Sequence, residues 1–375
     1  MNKKNLGQFY TTNYKYILQN MHIPDNVSNI IEPFAGNGDL LNFIEDSANA
    51  KADANAKADA IYNVKCYDID PKKDFVITQD TLLNPPDLDD AFVITNPPYL
   101  ARNKSSDKSV FNKYNTNDLY KCFLQILINS KCLGGIIIIP LNFLCSIRKA
   151  DIELRENFVK KYDMNIINIF EEQVFDDTSY SICCFQFTAK NNTSKNIENI
   201  ENIENISDCY IYPSNKRISF VLNTDNNYTI GGKIYNLEKN AKYKIDRATI
   251  ATEAAGAIRE NYEFCTNILV KCIDDNINSK IGLFIVDDMT RDKYIDKTPN
   301  LSARSYAILV IEPKITLEQQ EELAKKFNIF LNEYRDKYNS LFLTNYRESN
   351  TIARKRISFG LVYDICNYLL YNKVI

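Results

Sequence analysis

Four consecutive residues, Asn96-Pro97-Pro98-Tyr99, follow directly on the apolar run AFVIT at 91–95. Neither proline carries a backbone N–H, and each pushes the residue before it toward extended backbone. The chain therefore leaves a strand through a stiff bend, rich in hydrogen-bond acceptors, poor in donors and tipped by an aromatic ring. A planar amine suits such a bend. The Asn96 side-chain oxygen and the Pro97 carbonyl can each accept one of its N–H groups. That draws the nitrogen from planar toward tetrahedral and frees its lone pair to attack a sulfonium methyl in line. Tyr99 can stack on the ring that bears the amine. Acceptors that bind more strongly as the nitrogen gains positive charge stabilise the transition state over the ground state.

A second constellation stands upstream. In IIEPFAGNGDLL (30–41) a strand runs into Gly36-x-Gly38 and then a helix. Glycines at such a turn let a ligand approach the backbone closely. Leu41 occupies the place of the third glycine of the dinucleotide fingerprint, which disfavours a nicotinamide dehydrogenase. The next strand ends in YDIDP (67–71), where Asp68 and Asp70 are candidates for holding sugar hydroxyls, and Asp80 in ITQDTL (77–82) for accepting from an adenine amino group. No P-loop lysine follows the glycines, and the acids would repel phosphates. A nucleoside with a positively charged tail fits better than a nucleotide.

Composition narrows the chemistry further. The single histidine, His22, nearly removes histidine triads and histidine metal sites, and no metal-ligand spacing is present. The 10 cysteines are scattered with no C-x-x-C pair and read as free thiols in a reducing compartment. A net charge of −3 argues against a generally basic nucleic-acid coat but not against a local basic groove. The N-terminus has no apolar run like a signal peptide, and no apolar stretch reaches the ~18 residues of a membrane span. A soluble, intracellular, monomeric protein is expected.

The elements that must carry these residues are legible as alternation. Between 27 and 188, apolar strands at 27–34, 63–69, 74–80, 91–95, 134–140, 165–170 and 181–189 alternate with helical segments such as 116–131. This predicts an α/β fold with a doubly wound, mostly parallel sheet. ANAKAD occurs twice in tandem at 48–59 and reads as a surface extension of a helix. The Asn-Ile-Glu triplets that follow residue 195 read as a linker. The expected organisation is a catalytic domain over 1–190, a low-complexity linker over 191–206, and an α+β target-recognition domain over 207–375, with a long helix at about 316–338.

With EPFAGNGDL ahead of Asn-Pro-Pro-Tyr, the chain resembles the S-adenosylmethionine-dependent N6-adenine DNA methyltransferases in their γ-type motif order, over roughly residues 5–190. LGQFYTT (6–12) is similar to their N-terminal motif. The resemblance implies cofactor contacts from Gln8, Phe9, Tyr10, Thr11, Glu32, Pro33, Ala35, Gly36, Asp68, Ile69, Asp80 and Asn96, with Leu119, Tyr120 and Phe123 of NDLYKCFL as a further wall. It implies catalytic and target-base contacts from Asn96, Pro97, Pro98 and Tyr99. Phe175, then Tyr180, stand where an aromatic closes over the extruded base. An adenine inside a duplex has to be flipped out to reach such a corner.

Two basic segments could grip duplex DNA: Arg102, Asn103 and Lys104 beside the corner, and Arg347, Arg354, Lys355 and Arg356 near the C-terminus. The expected partner is double-stranded DNA with a short recognition sequence, CATG being suggested by resemblance, and a separate cognate restriction endonuclease. The same Asn-Pro-Pro-Tyr chemistry serves RNA adenine-N6 and protein glutamine-N5 methyltransferases. The long segment after the catalytic half favours DNA. Cytosine-N4 enzymes usually have Ser at the position of Asn96. A non-catalytic nucleic-acid-binding protein on the same fold is the remaining alternative.

Overall fold

A computed structural model of the chain describes residues 7, 9, 11–54, 62–175, 181–190, 207–239, 242–248, 262–274, 280–295, 305–346 and 354–371. Gln8, Tyr10, Tyr180, Arg347 and the expected linker 191–206 lie outside the described residues. The chain divides into two compact units, Met1–Asn223 and Thr224–Ile375.

The apolar runs of the first unit become β1 (Asn29–Glu32), β2 (Asn63–Asp68), β3 (Ile77–Thr78), β4 (Phe92–Thr95), β5 (Gly134–Pro140), β6 (Tyr162–Phe170) and β7 (Ile182–Ala189). With β8 (Ser207–Tyr212) and β9 (Lys216–Phe220) they build one sheet in the order β3-β2-β1-β4-β5-β7-β6-β8-β9. Five neighbouring pairs are parallel, while β7 runs antiparallel to both β5 and β6, and β9 to β8. This is the expected Rossmann-like, mostly parallel α/β sheet. Every residue of β4 and β5 is buried, which is why FVIT and GGIIIIP read as continuous apolar runs rather than as alternation. The helix Leu119–Asn129 buries every residue from Tyr120 to Leu124, with Ile126 and Leu127.

Because β1 to β4 are parallel, the turns after them emerge at one edge. The chain winds outward from β1 through β2 to β3, then returns to β4 on the other side of β1. Open α/β sheets bind ligands at such a reversal.

The first unit runs past the segment expected to separate the domains. β8 pairs with β6 from Ile166↔Asp208 to Phe170↔Tyr212, and β9 pairs with β8, so both strands extend the nine-stranded sheet. The second unit holds a four-stranded antiparallel sheet, ordered β10 (Lys244–Arg247), β13 (Tyr306–Glu312), β11 (Cys265–Lys271) and β12 (Gly282–Ile285). Ile268, Leu309, Ile311, Leu323, Phe327, Val362 and Ile365 form its core with the helices Leu317–Lys337 and Phe359–Tyr371. Thr316 starts the first of these helices by a capping box with Gln319. Arg354–Arg356 is a short strand, β15, paired with β14 (Thr344–Tyr346). Among the described residues no helix is long and apolar enough to cross a membrane. None of the 10 cysteines is in a disulfide.

Candidate active site

The glycine turn is built by β1 and β2 together. Ala35 N–H donates to the Tyr67 carbonyl at 2.8 Å, and Gly36 N–H to the Asp68 carboxylate at 2.8 Å. The other Asp68 oxygen accepts from Asp70 N–H at 2.8 Å, so this buried carboxylate locks two strand ends in place. Gly36 and Gly38 have φ of 53° and 83°, a region that strains side-chain-bearing residues. At the end of β3, one oxygen of Asp80 accepts from the N–H groups of Leu82 and Leu83, each at 3.0 Å. The Thr81 hydroxyl donates to the Pro33 carbonyl at 2.7 Å and ties this turn to the first.

These turns enclose a cavity of about 610 Å³. Of the residues the sequence pointed to, Phe9, Thr11, Ala35, Gly36, Asp68, Ile69, Asp80, Asn96, Pro98 and Leu119 line it. Asp39, Asp107, Phe34 and Gln79 line it too. Asp39 sits beside the glycines, where proximity was a signal. No spacing marked Asp107. Four aspartates therefore border the cavity, and no Lys or Arg does among the described residues. Such walls disfavour phosphates and favour a cationic ligand.

Glu32, Pro33, Tyr120 and Phe123, which the resemblance sets against a cofactor, do not line this cavity. Glu32 and Pro33 are buried behind the turn. Phe123 is covered by Phe34, ring to edge at 5.0 Å between centroids. Leu119 faces the cavity, and the helical turn carries Tyr120 to the other side, where it lines a second cavity of about 570 Å³. Arg102, Asn103, Lys108, Asn142 and Arg148 border that second cavity, whereas Lys104 is exposed and does not.

The Asn-Pro-Pro-Tyr bend stands at the end of β4, partly open at Asn96 and Pro98 and buried at Pro97 and Tyr99. Asn96 Nδ2 donates to the Phe9 carbonyl at 2.8 Å and to Thr11 Oγ1 at 3.1 Å. Its Oδ1 accepts from the Tyr99 hydroxyl, which is also 2.8 Å from the Ile138 carbonyl. Tyr99 N–H donates to the Gly7 carbonyl at 2.9 Å. Gly7 has φ of 67°, and a Cβ there would lie 2.6 Å from the Tyr99 carbonyl oxygen, so only glycine brings the N-terminal segment this close. The Phe9 ring stacks on Tyr99 with centroids 5.2 Å apart, and on Phe175 at 6.1 Å. Phe175 is thus brought to the corner from the segment after β6. Burial holds the Tyr99 phenol protonated, well above its ordinary pKa.

The family model of the Eco57I restriction-modification methylases matches residues 15–175. No curated protein matches the chain. Solved structures similar to it include a modification subunit of a putative type I restriction enzyme from Vibrio vulnificus YJ016, at 14% identity and a TM-score of 0.41, covering 55% of this chain and 47% of that one. The type IIG restriction endonuclease BpuSI aligns at 12% identity and a TM-score of 0.38, over 77% of this chain and 43% of its own. The type I restriction enzyme EcoKI M protein aligns at 13% identity and a TM-score of 0.36, over 85% and 68%. The chain spans about half the length of the first of these structures. Over residues 15–175, the stretch that carries the glycine turn and the proline corner, the chain is similar to the restriction-modification methylases.

Proposed function

We propose that this chain is a site-specific DNA methyltransferase that transfers a methyl group from S-adenosylmethionine to N6 of an adenine flipped out of a short duplex sequence. One observation carries the proposal: Asn96 and Pro98 border the same cavity as Ala35, Gly36, Asp68 and Asp80. Amine acceptors and a nucleoside-sized, anionic pocket therefore share one space.

The residues present suit the cofactor. Four carboxylates without a lysine or arginine match a ligand that bears a sulfonium and an ammonium group. Ala35 and Gly36 offer close backbone approach, Asp68 and Ile69 the sugar side, Asp80 the adenine amine, and Phe9, Thr11 and Leu119 the remaining wall. Bound there, S-adenosylmethionine supplies an electrophilic methyl group.

Asn96 Oδ1 and the Pro97 carbonyl accept the two hydrogens of the substrate amine and draw its nitrogen out of conjugation. The Tyr99 hydroxyl has a single proton and two acceptors within reach, Asn96 Oδ1 and the Ile138 carbonyl. Donating to Ile138 frees the amide oxygen for the amine. Tyr99, Pro98 and Phe175 supply apolar faces for the base, with Tyr180 a further candidate. Arg102, Asn103 and Lys104 beside the corner, and Arg347, Arg354, Lys355 and Arg356 in the second unit, hold DNA by its phosphates. The partner is duplex DNA, with a cognate endonuclease acting separately.

Labelled-methyl transfer from S-adenosylmethionine tests this directly. Label recovered as N6-methyladenine in duplex DNA supports the proposal, and label confined to RNA or protein overturns it. Mapping modified positions on plasmid DNA then gives the sequence, CATG being the first to examine. Asn96→Ala should lower transfer about a hundredfold or more while cofactor affinity stays within about threefold. Near-normal turnover by that variant would remove Asn96 from the chemistry.

A further inference from the structure

An asparagine can stabilise a substrate amine only if its oxygen, not its nitrogen, faces that amine. The terminal torsion of Asn is broad and roughly two-fold, so the side chain has little preference of its own. Neighbours decide which end points where.

At this corner both ends of the Asn96 amide have partners. Nδ2 gives one hydrogen to the Phe9 carbonyl at 2.8 Å and the other to Thr11 Oγ1 at 3.1 Å. Oδ1 is turned toward Tyr99. Reversal would set Oδ1 against the Phe9 carbonyl, acceptor on acceptor, whereas the Thr11 hydroxyl, able to donate or accept, holds the plane of the amide in which that choice is made. The Phe9 carbonyl is backbone and present with any side chain, so Thr11 is the contact that a substitution can remove. Its side chain is 3% exposed, and its β-branched χ1 keeps the hydroxyl where packing sets it.

We infer that Thr11 is a positioning residue for methyl transfer: its buried hydroxyl holds the plane of the Asn96 amide, in which the Phe9 carbonyl sets Oδ1 toward the substrate amine. This rests on the reading of Asn96 as an amine acceptor and adds a role distinct from the cofactor contact that resemblance assigns to Thr11. The N-terminal segment then does two jobs at once. It walls the cofactor cavity with side chains and holds the amide through hydrogen bonds.

The test compares Thr11→Val, which keeps the shape and loses the acceptor, with Thr11→Ser, which keeps the acceptor. Transfer to duplex DNA is measured at saturating cofactor and DNA, and cofactor Kd is measured separately by calorimetry. Thr11→Val should lower the saturated rate about tenfold, the equivalent of one hydrogen bond, with Kd within about twofold. Thr11→Ser should restore the rate to within about threefold of wild type. Cofactor binding by each variant certifies a folded site, and Thr11→Ala replaces the valine variant if that one fails to bind. A raised Kd with an unchanged saturated rate would assign Thr11 to the cofactor alone and overturn the inference. So would equal rate losses in the valine and serine variants. If wild type itself transferred no methyl to DNA, the functional proposal would fall first, an outcome separable from a silent Thr11→Val in an active enzyme.

Discussion

Glu32 is a carboxyl group kept behind the cavity with one oxygen satisfied. Oε1 accepts from Phe34 N–H at 3.1 Å and from the Thr95 hydroxyl at 2.9 Å, while Oε2 is buried without a hydrogen-bond partner. Burial pushes its pKa from 4.5 up to about 8, against the lowering effect of those hydrogen bonds and with a small addition from Asp68. The folded chain therefore keeps a proton that the unfolded chain releases above about 4.5. Its contribution to stability is lost as pH rises from about 4.5 to about 8 and is level beyond. Denaturant midpoints measured at both ends of that window should decline more steeply for wild type than for Glu32→Gln, the difference being a few kcal/mol at most. Parallel profiles would mean that Glu32 is charged in the folded protein. At this scale the residue types at strand ends were legible, because Gly36, Asp68, Asp80 and Asn96 each sit where a local pattern stops. Which residues of the helix Leu119–Asn129 face the cavity was not. That depends on a fraction of a helical turn at Tyr120 and on Phe34 covering Phe123.

The element after β5 illustrates what local patterns leave out. The short helix Asn142–Cys145 and the loop to Lys149 are held from below by the helix Lys149–Lys161. Arg155, fully buried, donates to the carbonyls of Phe143 at 2.6 Å and Ser146 at 2.8 Å. Asp151 accepts from Lys121 at 2.5 Å and from the Ser146 hydroxyl at 2.6 Å. The helix KADIELRENFVKK is rich in charge, and no local signal tells that Asp151 and Arg155, one turn apart, are buried. Removing one partner of a buried pair strands the other, so Asp151→Ala should cost about 3–5 kcal/mol. The apolar replacement Lys121→Met with Asp151→Leu should recover most of that loss. Urea midpoints of the single and double variants decide it; equal losses would show that the pair is a net stabiliser rather than a matched burden.

Across the whole molecule, two cores stand in two units, and the candidate cavity draws only on residues 9–119. Phe327, fully buried, belongs to the core of the second unit. Phe327→Ala should destabilise that unit by about 3–5 kcal/mol while cofactor Kd stays at the wild-type value. A parallel loss of cofactor affinity would show the two cores to be energetically coupled. The α/β class was legible because seven apolar runs alternate with helical patterns. The extent of the sheet was not, because β8 and β9 are short, follow a low-complexity segment and take their place only by pairing with β6. Nor could spacing foretell that Phe9, Tyr99 and Phe175 would meet, as their approach depends on the folded chain. That meeting bears on the proposed function: the ring face of Tyr99 is already covered by Phe9, so a base that is to stack on Tyr99 has to exchange one aromatic contact for another. Such an exchange would leave the choice of base to the rim of the heterocycle, where an amine finds its acceptors or does not.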